Sequence, residues 1–169
     1  VLIKGRPLLL EGIEAEVDAI VDAWYPGMQG GNAVADVLFG DYNPAGRLTI
    51  SVPRSVGQLP VYYNTKRKGN RSKYIEEEGT PRYPFGYGLS YTTFALGNLE
   101  ASLDEDTLVL GVTVENTGAF AGREVVQVYV SAPVSEMDMP EQELKGFQKT
   151  MLLAPGEKED IKIRIPLRN

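Results

Sequence analysis

The sequence predicts an α/β segment followed by an all-β antiparallel sandwich. Within residues 1–60, strand-like and helix-like patterns alternate, which is typical of part of an α/β layer fold. From Ser90 onward, short strand-like runs follow one another with turn signals between them. The 169 residues are enough for one or two small domains, and the apolar fraction of 43% is ordinary for a globular protein.

The first elements are predicted from the spacing of their apolar residues. Residues 1–4 form a short apolar run, which we interpret as the end of a buried strand. Residues 13–24 are predicted to form a helix that Pro26 and Gly27 end, because their apolar residues recur at helical spacing. The apolar stripe comprises Ile13, Val17, Ile20, Val21 and Trp24, and the remaining surface carries Glu14, Glu16, Asp18 and Asp22.

A second helix is predicted over residues 31–39. Gly40 follows it in the position where a left-handed C-cap is expected. The apolar face of this helix comprises Ala33, Val34, Val37 and Leu38. Residues 47–52 then alternate polar and apolar side chains, which predicts a strand that ends at Pro53.

Residues 54–83 show little periodicity and are predicted to form a linker or a functional loop. A structureless stretch of this length is unusual inside one compact domain, so it fits best between two domains. It carries a basic cluster followed by an acidic run, both of which we interpret as solvated surface. The cluster comprises Lys66, Arg67, Lys68, Arg71 and Lys73, and the run comprises Glu76, Glu77 and Glu78.

The all-β part is predicted from four runs with strand-like patterns. They cover residues 107–115, 124–130, 144–153 with a break at Gly146, and 158–165. We count about five strands in all, whereas an immunoglobulin-like sandwich has ~7. The last strands are therefore predicted to be absent, and a partner segment or a different local fold must cover the edges and core surface that remain.

Composition excludes several classes of function. The formal net charge of −6 argues against nucleic acid or an anionic membrane as a partner. The absence of cysteine and histidine excludes disulfides, thiolate or His-ligated metal sites, and Ser-His-Asp or Cys-His catalysis. No apolar stretch approaches the ~20 residues of a membrane-spanning helix. The chain begins at Val1 without a signal-peptide pattern, which is expected of an internal piece of a longer protein and is equally compatible with a processed or engineered chain.

An ordered set of short motifs resembles the C-terminal half of family 3 glycoside hydrolases, the β-glucosidase and β-xylosidase group. The motifs are Gly-Arg-Pro at 5–7, Ala-Trp-Tyr-Pro-Gly at 23–27, Gly-Gly at 30–31, Ala-Asp-Val-Leu-Phe-Gly at 35–40, Pro-Ala-Gly-Arg-Leu at 44–48 and Pro-Phe-Gly-Tyr-Gly-Leu-Ser-Tyr at 84–91. Further motifs at 116–118, 122–130, 143–147 and 153–157 resemble the fibronectin type III-like domain of that family. Each motif is short, but their common order makes coincidence an inadequate explanation.

The resemblance implies a domain organisation. Residues 1–60 correspond to the end of an (α/β)6 sandwich domain, residues 61–83 to a linker or long loop, and residues 84–169 to the fibronectin type III-like sandwich. The N-terminal barrel of the family is not represented. The resemblance also implies a retaining mechanism, in which two carboxyl groups lie ~5–5.5 Å apart across the scissile bond. The family's nucleophile lies on the barrel and its acid/base lies upstream of the Gly-Arg-Pro strand, so no catalytic residue is assigned in this chain.

Few side chains remain as candidates for a direct role. Asp36 and Asp41 are interpreted as solvated or turn-capping residues, because a general acid needs a second carboxyl group and a shielded environment. The adjacent residues Glu76, Glu77 and Glu78 cannot converge on one bond, and Trp24 is interpreted as a core residue of the first predicted helix. Loops often carry binding residues, so the candidates for a distal sugar subsite are Tyr62, Tyr63 and Tyr74.

Two functions from different classes remain open. The first is the C-terminal, mainly structural portion of a retaining β-glycosidase that acts on β-glucosyl or xylosyl groups without a cofactor and is inactive as a fragment. The second is a non-catalytic module that binds carbohydrate or protein, for which an exposed aromatic strip on a sheet face would be the sign. The aromatic residues of the sandwich, Phe120, Tyr129 and Phe147, look scattered in the sequence. Members of the resembled family are often periplasmic or secreted, so the resemblance implies a periplasmic or secreted location rather than a cytoplasmic one.

Overall fold

The computed structural model describes residues 1–65, 79–132 and 139–167 and divides the chain into two compact units. The first unit comprises the described residues within Val1–Tyr42, Leu48–Tyr87 and Pro133–Glu141. The second comprises those within Asn43–Arg47, Gly88–Ala132 and Gln142–Asn169. The chain therefore enters the second unit three times, at residues 43, 88 and 142, and returns to the first unit after each of the first two segments.

Regular structure is sparse in the first unit and dense in the second. The first unit contains the helix α1 (Gly30–Phe39) and a 3-10 turn (Val56–Gln58). The second contains the strands β1 (Phe94–Asp104), β2 (Thr107–Asn116), β3 (Val125–Val130), β4 (Glu143–Lys149) and β5 (Lys158–Pro166). No helix among the described residues has the length and apolar character needed to cross a bilayer.

The second predicted helix is confirmed as α1. Gly40 follows it at φ 86°, and its backbone N–H donates to the carbonyl oxygen of Val37, so the predicted left-handed C-cap is also confirmed. At the other end, a Cβ on Gly30 would lie 2.5 Å from Pro26 Cγ, which explains why the helix starts on a glycine. Most of the predicted apolar face stays accessible, since Leu38 is 54% exposed.

The first predicted helix, over residues 13–24, is wrong. Residues 11–16 form turns, and residues 21–24 run parallel to residues 2–4. The N–H of Leu2 donates to Val21 O and that of Ala23 donates to Leu2 O, which takes from this segment the bonds that a helix would use. Trp24 has φ 51°, a left-handed conformation that no α-helix contains.

The predicted strand over residues 47–52 is also wrong. Its ladder with the segment around residue 85 is interrupted, because Phe85 N–H donates to the hydroxyl of buried Ser51 rather than to a backbone carbonyl. Only Leu48 and Val52 make backbone bonds there. The run at residues 1–4 forms one parallel bridge, with Ile3 66% exposed, so the prediction of a buried strand fails there as well.

The second unit is an antiparallel sandwich of two sheets. One sheet has the order β1-β2-β5 and the other pairs β3 with β4. The four strands that the sequence bounds correspond to β2, β3, β4 and β5. No strand pattern bounds β1, because Asn98 at φ 50° lies at a register shift that breaks the alternation of side chains.

The core of the sandwich lies between the two sheets. Its buried members are Val114, Val126, Leu153, Ile161, Ile163 and Ile165. Gly146 on β4 allows the sheets to approach, since a Cβ there would lie 2.7 Å from Ile163 Cγ2. The break that the sequence shows in this strand is therefore a close contact between sheets.

A fully buried amide joins the turns at one end of the sandwich. Asn116 Nδ2 donates to the carbonyl oxygens of Phe120 and Leu153, each at 2.8 Å. Its Oδ1 accepts from Thr92 Oγ1 at 2.8 Å and from the N–H of Gly118 at 3.1 Å. All four bonds that this side chain can form are made, so Asn116 fixes three separate loops.

The segment Asn43–Arg47 is held by side-chain bonds within the second unit. Asn43 Oδ1 accepts from Ser90 Oγ at 2.8 Å, and Asn43 Nδ2 donates to Ala121 O at 2.9 Å. Arg47 Nη2 lies 2.5 Å from Glu124 Oε1 in an ion pair whose side chains are 12% and 18% exposed. A segment distant in sequence is thereby an integral part of the sandwich unit.

Candidate functional site

The first unit contains a shallow apolar groove. Its volume is about 460 Å³. It is lined by Pro7, Ile50, Ser51, Pro53, Leu59, Pro60, Val61 and Tyr62. An apolar lining with an amphipathic tyrosine at its edge suits a ligand with hydrophobic faces and hydroxyl groups.

The three candidate tyrosines have different positions. Tyr62 lines the groove and is 68% exposed, so it is free to contact a ligand. Tyr63 instead stacks on Phe85, with 4.0 Å between ring centroids and 13° between ring planes. Tyr74 lies outside the described residues, as do the basic cluster and the acidic run of the same loop. Of the two candidates that the structure describes, Tyr62 lies in the groove lining.

Three interactions hold the segments that line the groove. The Tyr63–Phe85 stack fixes the residue next to Tyr62, and Phe85 N–H is bound to Ser51 in the groove lining. Gln58, which is 5% exposed, precedes the Leu59–Pro60 wall and accepts from Arg54 N–H at 2.8 Å. The groove is therefore built on side chains with defined partners.

A carboxylate network lies in the same unit. Tyr83 Oη donates to Glu14 Oε2 at 2.8 Å, and Arg82 Nε lies 2.7 Å from Glu14 Oε1. The hydrogen bonds from Tyr83 and then from Arg82 hold the pKa of Glu14 below its usual value. The bond to Glu14 also raises the pKa of Tyr83. Glu14 is thus kept ionised and engaged, which is unsuitable for a general acid.

Lys4 lies on the paired segments 2–4 and 21–24 and is 6% exposed. Its Nζ lies 2.8 Å from Asp22 Oδ2, and the two side chains are 4% and 17% exposed. The same Nζ lies 4.6 Å from the ring centroid of Trp24. Trp24 is therefore part-buried against a cation, and the sequence-based interpretation of it as a residue of a helical apolar stripe is wrong.

Of the remaining acidic candidates, the structure describes Asp36 and Asp41. Asp36 on α1 and Asp41 after it are both exposed, in agreement with the interpretation as solvated residues. Glu76, Glu77 and Glu78 lie outside the described ranges. Across residues 1–65, 79–132 and 139–167, no cluster of acidic side chains is arranged to hold a metal ion.

Two family descriptions match this chain. Residues 1–91 match the Glycosyl hydrolase family 3 C-terminal domain. Residues 124–169 match the Fibronectin type III-like domain. The chain belongs to glycosyl hydrolase family 3. The match confirms the resemblance found in the motifs and the succession of an α/β part by a β-sandwich.

Relatives in this family share most of the chain. A periplasmic beta-glucosidase from Salmonella typhimurium is 45% identical over 99% of the chain, which covers 24% of that protein. A beta-xylosidase from Formosa agariphila is 42% identical over 98% of the chain, which again covers 24% of that protein. The chain thus spans about a quarter of the length of these curated relatives.

Solved structures of the family have the same fold. A β-glucosidase from Erythrobacter marinus superposes with a TM-score of 0.91 at 44% identity, over 98% of this chain and 22% of that one. A beta-glucosidase from Listeria innocua in complex with isofagomine superposes with a TM-score of 0.88 at 37% identity, over 98% of this chain and 25% of that one.

Sequence reasoning missed the groove and the Glu14 network. Helical spacing predicts that Glu14 lies on the polar surface of a helix. In the structure it instead accepts a hydrogen bond from Tyr83, which lies 69 residues away in the sequence. No local spacing reveals such a contact. For the groove, one signal was available, because Leu59-Pro60-Val61 is an apolar run that includes a proline and cannot be a central strand.

Proposed function

We propose that this chain is the C-terminal, mainly structural portion of a retaining β-glycosidase that hydrolyses terminal β-D-glucosyl or xylosyl residues. The observation that supports it is the match to glycosyl hydrolase family 3 over a chain that is about a quarter as long as its β-glucosidase and β-xylosidase relatives. Its partners are the β-linked glycoside and the N-terminal barrel and sandwich segments of the same protein.

The chain alone is proposed to be inactive. Retaining hydrolysis needs two carboxyl groups ~5–5.5 Å apart, one of them protonated in the resting enzyme. Glu14 is held in its ionised form by Arg82 and Tyr83, and Asp36 and Asp41 lie in open solvent. None of these carboxylates has the environment that the reaction requires.

The test compares the 169-residue chain with the full-length protein on nitrophenyl β-glucoside and β-xyloside. The full-length protein is expected to hydrolyse at least one substrate, and the isolated chain is expected to give no turnover above buffer. Turnover by the isolated chain that a Glu14→Gln substitution abolishes would overturn the proposal. An inactive full-length protein on both substrates, and on the corresponding disaccharides, would overturn it from the other side.

We further propose that the loop bearing Tyr62, Tyr63 and Tyr74 contributes to a distal subsite. Tyr62 at the edge of the apolar groove supports this, because sugar CH groups pack on aromatic faces. Tyr62→Ala in the full-length enzyme is expected to lower kcat/KM on disaccharides more than on aryl glycosides. Tyr42→Ala, which removes another exposed tyrosine of the first unit, serves as the matched control.

Each of the other two tyrosines receives the same measurement. Tyr63→Ala is expected to act indirectly, since it removes the stack on Phe85 that supports the groove. Tyr63→Phe retains the ring and is expected to restore the activity. Unchanged kcat/KM on both substrate types for Tyr62→Ala, Tyr63→Ala and Tyr74→Ala would sink the subsite proposal without affecting the family assignment.

The domain boundaries and the location are also proposals. We place the α/β part at residues 1–60, a linker or loop at 61–83 and the sandwich at 84–169, and limited proteolysis is expected to cut first within 61–83. The relative from Salmonella typhimurium is named a periplasmic beta-glucosidase, which supports a periplasmic or secreted location. Cell fractionation with activity staining tests it, and activity confined to the cytoplasm would contradict it.

A binding function for the sandwich is the second candidate. Register places Phe147 opposite Gln127, so Phe147 and Tyr129 share the outer face of the β3–β4 sheet, and Phe147 is 69% exposed. Affinity electrophoresis on soluble glucans tests this face. Retardation that Phe147→Ala removes would favour a carbohydrate-binding module, and equal mobility with and without glucan would exclude it.

A further inference from the structure

The sandwich unit includes a short segment that is far from the rest of the unit in the sequence. Asn43–Arg47 belongs to this unit, whereas the residues directly before and after it belong to the first unit. Ala45, at the centre of the segment, is 2% exposed, although Tyr42 and Ile50 on either side are 49% and 41% exposed. The segment therefore has the burial of a bound peptide rather than that of an exposed connection.

The amide of Asn43 is bound at one end of the segment. Its Oδ1 accepts hydrogen bonds from Ser90 Oγ at 2.8 Å and from the N–H of Tyr91 at 2.9 Å. Its Nδ2 donates to Ala121 O at 2.9 Å. These partners require an acceptor and a donor on the same side chain, so an aspartate or a leucine of similar size would leave some of them unsatisfied.

The guanidinium of Arg47 is bound at the other end by a carboxylate that the sandwich holds in place. Arg47 Nη2 lies 2.5 Å from Glu124 Oε1, and the two side chains are 12% and 18% exposed. Glu124 Oε1 also accepts from the N–H of Val125 at 2.7 Å. The N–H of Glu124 donates to the hydroxyl of Thr150, which is 1% exposed. These bonds join the start of β3 to the end of β4, so the sandwich orients the carboxylate without help from the segment.

Two glycines of the sandwich unit leave the space that the segment fills. A Cβ on Gly122 would lie 2.7 Å from Asn43 Nδ2. A Cβ on Gly88 would collide with Gly46 O and would lie 3.1 Å from Arg47 Cδ. Neither Gly88 nor Gly122 has a φ in the left-handed region, so the close approach of the segment, not the backbone conformation, requires glycine at both positions.

We propose that the sandwich unit carries a binding notch for a peptide, and that its ligand is the segment Asn43–Arg47 of the same chain. The notch comprises Gly88, Ser90, Gly122 and Glu124. It selects a peptide that has an amide side chain and a guanidinium four residues apart, with a small residue midway between them. The sandwich thereby has a binding role of its own, which goes beyond the glycosidase activity and does not depend on it. Residues 84–169 alone form an incomplete unit, because they lack this ligand.

Native-state hydrogen exchange in the full-length protein tests the proposal. The Tyr91 amide reports on the Asn43 end of the segment, because Asn43 Oδ1 is its acceptor. If the segment is released as one ligand, this amide exchanges faster than the core amide of Ile163. Arg47→Met, at the opposite end of the segment, is then expected to raise the Tyr91 exchange rate by about tenfold or more, because the Glu124 carboxylate loses its partner.

Two further variants provide the controls. Glu124→Gln breaks the same ion pair but retains the acceptor for the N–H of Val125. It is expected to raise the Tyr91 exchange rate by a similar factor, and the double variant with Arg47→Met is expected to raise it no further. Arg164→Met breaks an exposed ion pair and is expected to change the rate by less than about twofold.

Two outcomes of the exchange experiment would overturn the proposal. An unchanged Tyr91 exchange rate in Arg47→Met would mean that the two ends of the segment are held independently. Equal free energies of opening for the Tyr91 and Ile163 amides in the wild-type protein would mean that the segment leaves only when the whole sandwich unfolds.

Thiol labelling covers the case in which the charge variants do not fold. Ala45→Cys in the full-length protein keeps the side chains at both ends of the segment. Residues 1–169 contain no cysteine, so a label that mass spectrometry finds among them is at position 45. Labelling there is expected to be about tenfold or more slower than at position 154 in Ala154→Cys, where the alanine is exposed. Equal labelling rates at the two positions would overturn the proposal.

Discussion

The two units of this chain differ in how much of their structure they support by themselves. In the sandwich unit, β2 and β5 pair over nine consecutive positions, from Thr107–Pro166 to Glu115–Lys158, and Ile161 is 1% exposed. Among the described residues of the first unit, strand pairing is limited to isolated bridges, such as Leu2 with Asp22, and Phe39 at the end of α1 is 85% exposed. Continuous ladders over a buried core stabilise a fold locally, whereas single bridges need surrounding structure.

The two units also differ in how completely their apolar side chains are buried. An exposed large apolar side chain such as Phe39 is a surface that a larger domain would bury. The chain spans about a quarter of the length of the curated relatives it matches. The sandwich unit, by contrast, has a core of six buried side chains between its two sheets.

The largest effect is expected from truncation in the sandwich core. Ile161→Ala is expected to lower the free energy of unfolding by about 2–5 kcal/mol, because it removes buried methyl groups and leaves a cavity. Urea unfolding followed by far-UV circular dichroism measures it. Lys162→Ala, the next residue and on the outer face, is the control. A loss below about 1 kcal/mol for Ile161→Ala would mean that the core is not packed as described.

A slightly smaller effect is expected at the buried amide. Asn116→Ala leaves the carbonyl oxygens of Phe120 and Leu153 without their donor, and an unsatisfied buried polar group costs about 1–3 kcal/mol. The same unfolding experiment measures the loss. Asn32→Ala, on the exposed surface of α1, is expected to change the free energy of unfolding by less than about 0.5 kcal/mol. Equal losses of unfolding free energy for the two variants would show that Asn116 does not hold the end loops.

The role of Ile161 can be predicted from a sequence pattern, whereas the role of Asn116 cannot. The alternation of Ile161, Ile163 and Ile165 predicted β5 because a half-buried strand repeats every two residues. Gly40 predicted the end of α1 because a left-handed cap favours glycine. The role of Asn116 has no such local signal, since its partner Leu153 lies 37 residues away.

The wrong helix over residues 13–24 has the same physical origin. Apolar spacing of 3.6 residues is a weak signal when β-branched residues supply it, and the parallel pairing of Leu2 with residues 21 and 23 uses the same backbone groups. For the candidate site, Tyr62 was predicted from its position on a loop. The stacking of Tyr63 on Phe85 and the bond between Tyr83 and Glu14 depend on tertiary contacts that the sequence does not display.

An acid-dependent effect is expected in the α/β unit. Since folding lowers the pKa of Glu14, its ionised form stabilises the folded state above its unfolded pKa near 4.5, and this stability is lost as pH falls through the lower folded value. The stability of the wild-type chain is therefore expected to decrease as the pH falls below about 5. Glu14→Gln is expected to flatten that decrease, as measured by intrinsic fluorescence of Trp24. Parallel pH profiles for the two proteins would contradict the network.

The smallest effect is expected on α1. Phe39→Ser in the 169-residue chain is expected to change the free energy of unfolding by less than about 0.5 kcal/mol, because the side chain is already 85% exposed. In the full-length protein the same change is expected to cost more, because we expect the rest of that protein to bury this residue. Thermal unfolding of both proteins measures the difference. Equal effects in the two proteins would contradict the expectation that Phe39 is buried only in the full-length protein.

Amide hydrogen exchange of the 169-residue chain tests the central contrast most directly. We expect the amides of Val112, Ile161 and Ile163 to exchange slowly and at similar rates, because they belong to one continuous ladder over a buried core. The amides of Leu2 and Ala23 are expected to exchange orders of magnitude faster, because they belong to a pairing with a single bridge. Equal protection in the two sets would contradict the account.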